Sequence, residues 1–163
     1  MSSVMRDIEV MIREFRAGDE VDFRRLNEEW IVRYYTLEAK DEEVLGDPQG
    51  AILEGGGRIF FAVRDGRTVG CCALLAMGPG EFEVAKMAVT ESAQGGGVGR
   101  RLLEAVIAAA RGAGATRLFL ETNKKQVAAV RLYESVGFRH LPAERVAASP
   151  YTRSDVAMEM VLG

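Results

Sequence analysis

Histidine occurs once in this chain, as His140, and cysteine twice, as the adjacent pair Cys71 and Cys72. One imidazole and two neighbouring thiols are too few for a tetrahedral metal site, so no metal is expected. Neighbours on a strand point to opposite faces, so the two thiols cannot easily bridge each other and both read as packing residues. No run approaches the length of about 18 apolar residues that a membrane span needs, and the start MSSVMRDIEV lacks the apolar run of a signal peptide. These two absences make a cytoplasmic protein the expectation. An excess of charge of either sign is missing too, since 21 basic residues nearly balance 24 acidic ones. The net charge is −3, which exerts no general pull toward nucleic acid or an anionic membrane, and neither is expected as a partner. Repeats, low-complexity tracts and linkers are missing too. The 163 residues therefore read as a single domain, 1–163, large enough to bury a core without disulfides. Residues 1–8 are expected to be a poorly ordered N-terminal extension.

What is present is a clear succession of elements. Residues 9–15 alternate as a first strand. Asp19 stands where a helix N-cap would, and Phe23, Leu26, Trp30, Ile31 and Tyr34 recur at helical spacing to about Tyr35. A shorter helix is expected over Asp41–Leu45 and a further turn or helix over Gln49–Leu53. RIFFAVRDGRTVGCCALLAM is a hairpin signal, with Asp65-Gly66 between two apolar runs. Residues 81–89 form the next strand. Leu102, Leu103, Val106, Ile107 and Ala110 mark one face of the helix that follows. A buried strand at 116–122, a helix at 124–136 with Gly137 as its C-cap, and strands near 138–144 and 154–162 complete the chain. Local hairpins combined with one β-α-β unit give an α+β fold around one mixed sheet, with strands 81–89 and 116–122 parallel.

Between the strand 81–89 and its helix lies QGGGVGR, residues 94–100. A glycine-rich turn at a helix N-terminus lets backbone N–H groups approach an anion, and the helix dipole favours negative charge there. The dinucleotide spacing G-x-G-x-x-G fails, because its third position is Arg100 or Leu102. A P-loop also fails, because no lysine follows the glycines. What remains is Gln94-x-x-Gly97-x-Gly99, preceded by Met87-Ala88-Val89.

That spacing resembles the acetyl-CoA signature of the GNAT family of N-acetyltransferases. The resemblance continues in LYESVGF, residues 132–138, which matches the family's Leu-Tyr-x-x-x-Gly-Phe at Leu132, Tyr133, Gly137 and Phe138. With the element order it covers nearly the whole chain. It implies a GNAT-type α+β fold, a mixed, mostly antiparallel sheet of about six to seven strands flanked by about four helices. It implies an acyltransferase with acetyl-CoA as co-substrate and a small-molecule, amino-acid or peptide amine as acceptor, the acetyl group passing directly in a ternary complex. Homodimers are common in the family, so self-association is a further expectation.

Carried over residue by residue, the CoA pyrophosphate would lie on backbone N–H groups of Gln94, Gly95, Gly96, Gly97, Val98, Gly99 and Arg100. Pantetheine would pair with backbone groups of Met87 and Val89 as an added strand, which needs an exposed strand edge. Arginine near a helix N-terminus is disfavoured unless an anion is present, which speaks for a phosphate contact by Arg100. Tyr133 would face the CoA sulfur. A phenol at about 10 and a thiol at about 8.5 make full proton transfer uphill by roughly 2 kcal/mol, so a hydrogen bond to the developing thiolate is the expected role. Glu83, six residues before Val89, matches the glutamate used as base in histone-type members. A base helps because an alkylammonium near 10 is only about one part in a thousand neutral at pH 7. Many members carry an asparagine seven residues before the tyrosine, whereas this chain has Gln126 there and Asn123 nearby. Either amide is a candidate for that CoA contact.

The family builds its acceptor pocket from the first two helices and the last hairpin. Here that points to Trp30, Tyr34, Tyr35 and Glu38, and to Tyr151 and Arg153 in RVAASPYTRSDV. Trp30 also suits a core position, and the KDEE stretch that begins at Lys40 reads as a solvated helix face. His140 reads as a surface strand residue. The alternative to an enzyme is a CoA-binding sensor that does not transfer. A nucleotide module is disfavoured by the failed spacings.

Overall fold

The computed structural model describes residues 9–146 and 149–163. The expected N-terminal extension, 1–8, lies outside them. Seven strands, β1 (Met11–Glu14), β2 (Arg58–Arg64), β3 (Arg67–Gly78), β4 (Glu81–Val89), β5 (Arg117–Thr122), β6 (Arg139–His140) and β7 (Val156–Val161), form one sheet. Their order is β1-β2-β3-β4-β5-β7-β6. Every neighbouring pair is antiparallel except β4 and β5. Among the described residues four α-helices flank the sheet: α1 (Glu20–Tyr34), α2 (Ala39–Gly46), α3 (Val98–Gly112) and α4 (Val127–Val136). Gln49–Leu53 is a single π-helical turn.

Side-chain alternation divides the core into two layers. Phe60, Ala62, Cys72, Leu74, Leu118 and Leu120 pack on one face with Leu102, Leu103 and Val106 of α3. Ile59, Phe61, Cys71 and Ala73 pack on the other with Phe23, Leu26 and Ile31 of α1 and Val44 and Leu45 of α2. Cys71 and Cys72 fall in different layers, both fully buried and unpaired. Each fully buried leucine of α3 contributes about 2 kcal/mol. Asp65 at φ 53° and Gly66 at φ 74° make the two-residue turn between β2 and β3. Both angles are positive, as a type I′ hairpin turn requires.

Several boundaries differ from the sequence expectation. Asp19 stands at the N-cap position of α1 as expected, but its side chain makes no capping bond. Its carboxylate instead takes Arg13 at 2.7 and 3.1 Å and the Arg16 N–H at 2.6 Å. The helix expected from residue 124 begins at Val127. Asn123 Oδ1 accepts the Lys125 N–H and Asp155 Oδ1 accepts the Lys124 N–H, which holds those residues in a turn. The strand expected over 138–144 shrinks to two residues and gives way to a 3-10 turn at Ala143–Arg145.

Two features of β4 shape the functional region. It pairs with β5 only at Glu81–Arg117, Phe82–Leu118 and Glu83–Phe119. Beyond Glu83 the parallel strands part, so one edge of residues 84–89 has no strand partner. The register with β3 also shifts between Cys71 and Ala73, opposite a bulge in which Lys86 adopts φ 53°. That extra residue reverses the side-chain parity of the strand. Val84 packs in the α3 layer and Ala88, four residues on, in the α1 layer.

Candidate active site

The fork between β4 and β5 opens a cleft of about 610 Å³. At one end lies the glycine turn. Gly95 and Gly97 adopt φ 85° and 83°, and added Cβ atoms there would meet nothing within 4 Å. Gly97 is the N-cap of α3, and the first helical bond runs from the Arg101 N–H to its carbonyl. The N–H groups of Val98, Gly99 and Arg100 are therefore left without helical partners. This is an open, backbone-lined anion site beside an unpaired strand edge. The Gln94 amide closes the corner by donating to the Val89 carbonyl at 3.0 Å. Arg100 points toward α4 and donates to Ser135 Oγ at 2.7 Å.

Of the residues singled out from sequence, Trp30, Tyr34, Glu83, Met87, Val89, Gln94, Gly95, Gly97, Val98, Gly99, Arg100, Asn123, Gln126, Tyr133 and Tyr151 all line this one cleft. Gly96 does not; it sits on the outer side of the turn, exposed. His140 is an exposed strand residue bonded to Glu134 at 2.8 Å. Trp30 is half-buried, packs against the α1 layer and also faces the cleft.

Tyr133 is 8% exposed and its hydroxyl makes no hydrogen bond to a described residue. Burial, with a smaller contribution from Cys72, drives its pKa well above the ordinary phenol value. The group is thus a fixed hydrogen-bond donor and a poor acid. The same cause acts on Glu83 with a different chemical result. Burial first, then repulsion from Glu121, push its carboxyl up to about 7 against the attraction of Lys86 and Lys40. A carboxyl poised there can gain and lose a proton near neutral pH. The two amides separate clearly. Asn123 is engaged at both ends, donating to the Arg153 carbonyl at 2.7 Å and accepting the Lys125 N–H at 2.9 Å. Gln126 makes one contact, donating to Tyr35 Oη at 3.2 Å, which joins the start of α4 to the end of α1.

Sequence reasoning missed a buried charge cluster on the acceptor side. Asp41 is not on a solvated face; it is fully buried. Its carboxylate accepts from Lys86 Nζ at 2.7 Å, from Arg153 at 2.8 and 2.7 Å, and from the Glu38 N–H at 2.9 Å. Burial alone would raise its pKa, but the bonds from Arg153 and Lys86 outweigh that and hold it well below the usual carboxylate range. Lys86 Nζ also donates to Tyr151 Oη at 2.9 Å. The available signal was Lys86, a lone charge in the otherwise apolar run of residues 84–89.

The cleft thus combines a glycine turn at a helix N-terminus, a forked parallel pair and a bulged strand edge beside a buried tyrosine. The chain belongs to the acetyltransferase (GNAT) family, whose model matches residues 19–138. It is 38% identical over 104 residues to the IAA acetyltransferase of Azospirillum brasilense, covering 63% of this chain and 65% of that protein. It is 32% identical over 150 residues to an amino-acid acetyltransferase of Neisseria meningitidis, covering 88% of this chain but only 32% of that one. The chain thus spans less than two thirds of either relative. Its fold matches a Salmonella typhimurium structure solved with its cofactor acetyl-CoA, at a TM-score of 0.75 and 20% identity over 95% of each chain. No helix among the described residues is long and apolar enough to cross a membrane, and no group of potential ligands among them could hold a metal ion.

Proposed function

We propose that the chain is an N-acetyltransferase that moves an acetyl group from acetyl-CoA directly to a primary amine of a small molecule, amino acid or peptide. The observation that carries this reading is the unpaired edge of β4 leading to the free N–H groups of α3. An extended pantetheine amide chain fits such an edge, and a pyrophosphate fits such a helix start. The open space at Gly95 and Gly97 leaves room for both. Met87 and Val89 supply the backbone partners, and Gln126, with its amide oxygen uncommitted, is favoured over Asn123 as the side-chain contact.

Acetyl-CoA supplies the activated acyl group as a thioester. The amine nitrogen attacks the carbonyl carbon and forms the C–N bond. The C–S bond breaks and its electron pair stays on sulfur, where the Tyr133 hydroxyl donates a hydrogen bond. The surplus amine proton passes to Glu83, directly or through water, and then to solvent. Trp30, Tyr34 and Tyr151 wall the acceptor side. The names of the two curated relatives include an amino-acid acetyltransferase, which agrees with an amine acceptor.

The test is release of CoA thiol when the protein meets acetyl-CoA with a panel of amines: phenethylamine, spermidine, L-glutamate and an alanine-initiated tetrapeptide. Amine-dependent thiol release with an N-acetylated product is expected. Tight acetyl-CoA binding with no transfer to a broad panel would make the protein a CoA-binding sensor instead.

A further inference from the structure

Asp41, Lys86 and Arg153 come from three different elements. Asp41 is in the first turn of α2, where it also closes a capping box with Glu38. Lys86 is the bulge residue of β4, and Arg153 lies in the loop before β7. Asp41 is 0% exposed and the side chain of Lys86 6%. The Arg153 contact is bidentate, and a second carboxylate, Glu38, receives Arg153 at 3.4 Å and the Thr152 N–H at 3.1 Å. Lys86 and Arg153 both lie 4.5 Å from the centre of the Tyr151 ring.

Such an arrangement is costly to build. Three charges leave water, and a non-glycine residue, Lys86, is held in the left-handed region at φ 53°. A hydrophobic cluster would hold three elements together at least as well. What the ions add is direction. A bidentate arginine and a lysine on one carboxylate fix both the angle of the loop and the orientation of the bulge. The loop carries Tyr151 into the cleft, beside the lysine of the bulge.

We infer that Asp41 is a positioning residue for the acceptor half of the cleft, its carboxylate clamping the loop before β7 and α2 onto the β4 bulge through Arg153 and Lys86. The clamp sets the wall that Tyr151 presents to the acceptor and leaves the glycine turn, at the other end of the cleft, untouched. The inference rests on the acetyltransferase reading for its kinetic consequence but not for its structural one.

Two variants test it in the full chain. Asp41→Asn leaves two buried cations without their counter-charge; Arg153→Gln spares the Asp41–Lys86 pair and is the milder change. Hydrogen exchange followed by mass spectrometry should show at least tenfold faster exchange in residues 38–46 and 149–155 of both variants, with β2 and β3 unchanged. Acetyl-CoA affinity by calorimetry should stay within about twofold of the parent, while KM for whichever panel amine turns over rises at least fivefold. Asp41→Glu, which restores the charge at a longer reach, should recover part of that KM. Unchanged exchange in both segments would overturn the clamp, as would exchange that rises evenly over the whole sheet. Equal loss of acetyl-CoA and amine binding would overturn its restriction to the acceptor half. If the parent turns over no amine, the acetyltransferase reading fails, and the exchange data still decide the clamp.

Discussion

Glu83 and Tyr133 face one cleft with opposite proton chemistry, and each can be tested alone. Glu83 has a folded-state pKa of about 7 against an ordinary value of 4.5. Below 4.5 the group is protonated in both states and costs nothing. Above about 7 it is ionised in both, and the folded protein bears a buried charge. Stability attributable to this group is therefore complete at low pH and lost as pH rises through 7. The gap between 4.5 and about 7 corresponds to at most about 3 kcal/mol. Glu83→Gln should accordingly stabilise the protein at pH 8, by urea denaturation, and change little at pH 4. Its kinetic effect runs the other way. As the base, Glu83 must be ionised, so kcat/KM of the parent should climb through about pH 7, and Glu83→Gln should lose that limb with a fall of about 100-fold or more at pH 8. Tyr133→Phe should lower kcat by about 10- to 100-fold and leave acetyl-CoA affinity within twofold, since the hydrogen bond it removes forms mainly as the thiolate develops. Equal kcat in parent and variant would remove Tyr133 from the mechanism.

The glycine turn, the bulged strand and α4 form the cleft together, and they differ in how far the sequence announces them. Gly97 has a positive φ and open space at its Cβ position, on the cleft side of α3. Gly97→Glu puts a strained backbone, a bulky side chain and a negative charge where the pyrophosphate would sit. Acetyl-CoA affinity should fall at least 100-fold in a calorimetric titration, with far-ultraviolet circular dichroism unchanged. Local chemistry of this kind was legible: the Asp65-Gly66 turn, the apolar face of α3 and the Leu132–Phe138 phrase each depend on residues within one or two turns. The bulge at Lys86 was not, because its register is fixed by β3, and the lysine is drawn out of the core by a carboxylate 45 residues earlier. Asp41 was misread for the same reason. Within its own helix it looks like any first-turn acid, and its burial depends on Lys86 and Arg153, 45 and 112 residues later. Asp19 stands at the N-cap of α1, but its side chain makes no capping bond because Arg13 competes for its oxygens, and α4 starts late because Asp155 ties down Lys124.

At the scale of the whole molecule, the cleft parts a sheet that is otherwise continuous, so a ligand that fills the fork ties its two halves together. A ligand that binds only the folded state stabilises it by about 2.7 kcal/mol at a hundredfold excess over Kd. For a domain of this size that predicts a rise in Tm of roughly 5–10 °C with acetyl-CoA. ATP, which shares the adenine and phosphates but lacks the pantetheine arm, should give much less. The most direct test of the central claim is a calorimetric titration of acetyl-CoA into the parent protein and into Gly97→Glu, side by side. The parent should bind one equivalent per chain and the variant at least 100-fold more weakly. No binding to the parent, or equal binding to both, would contradict the assignment of this cleft to acetyl-CoA.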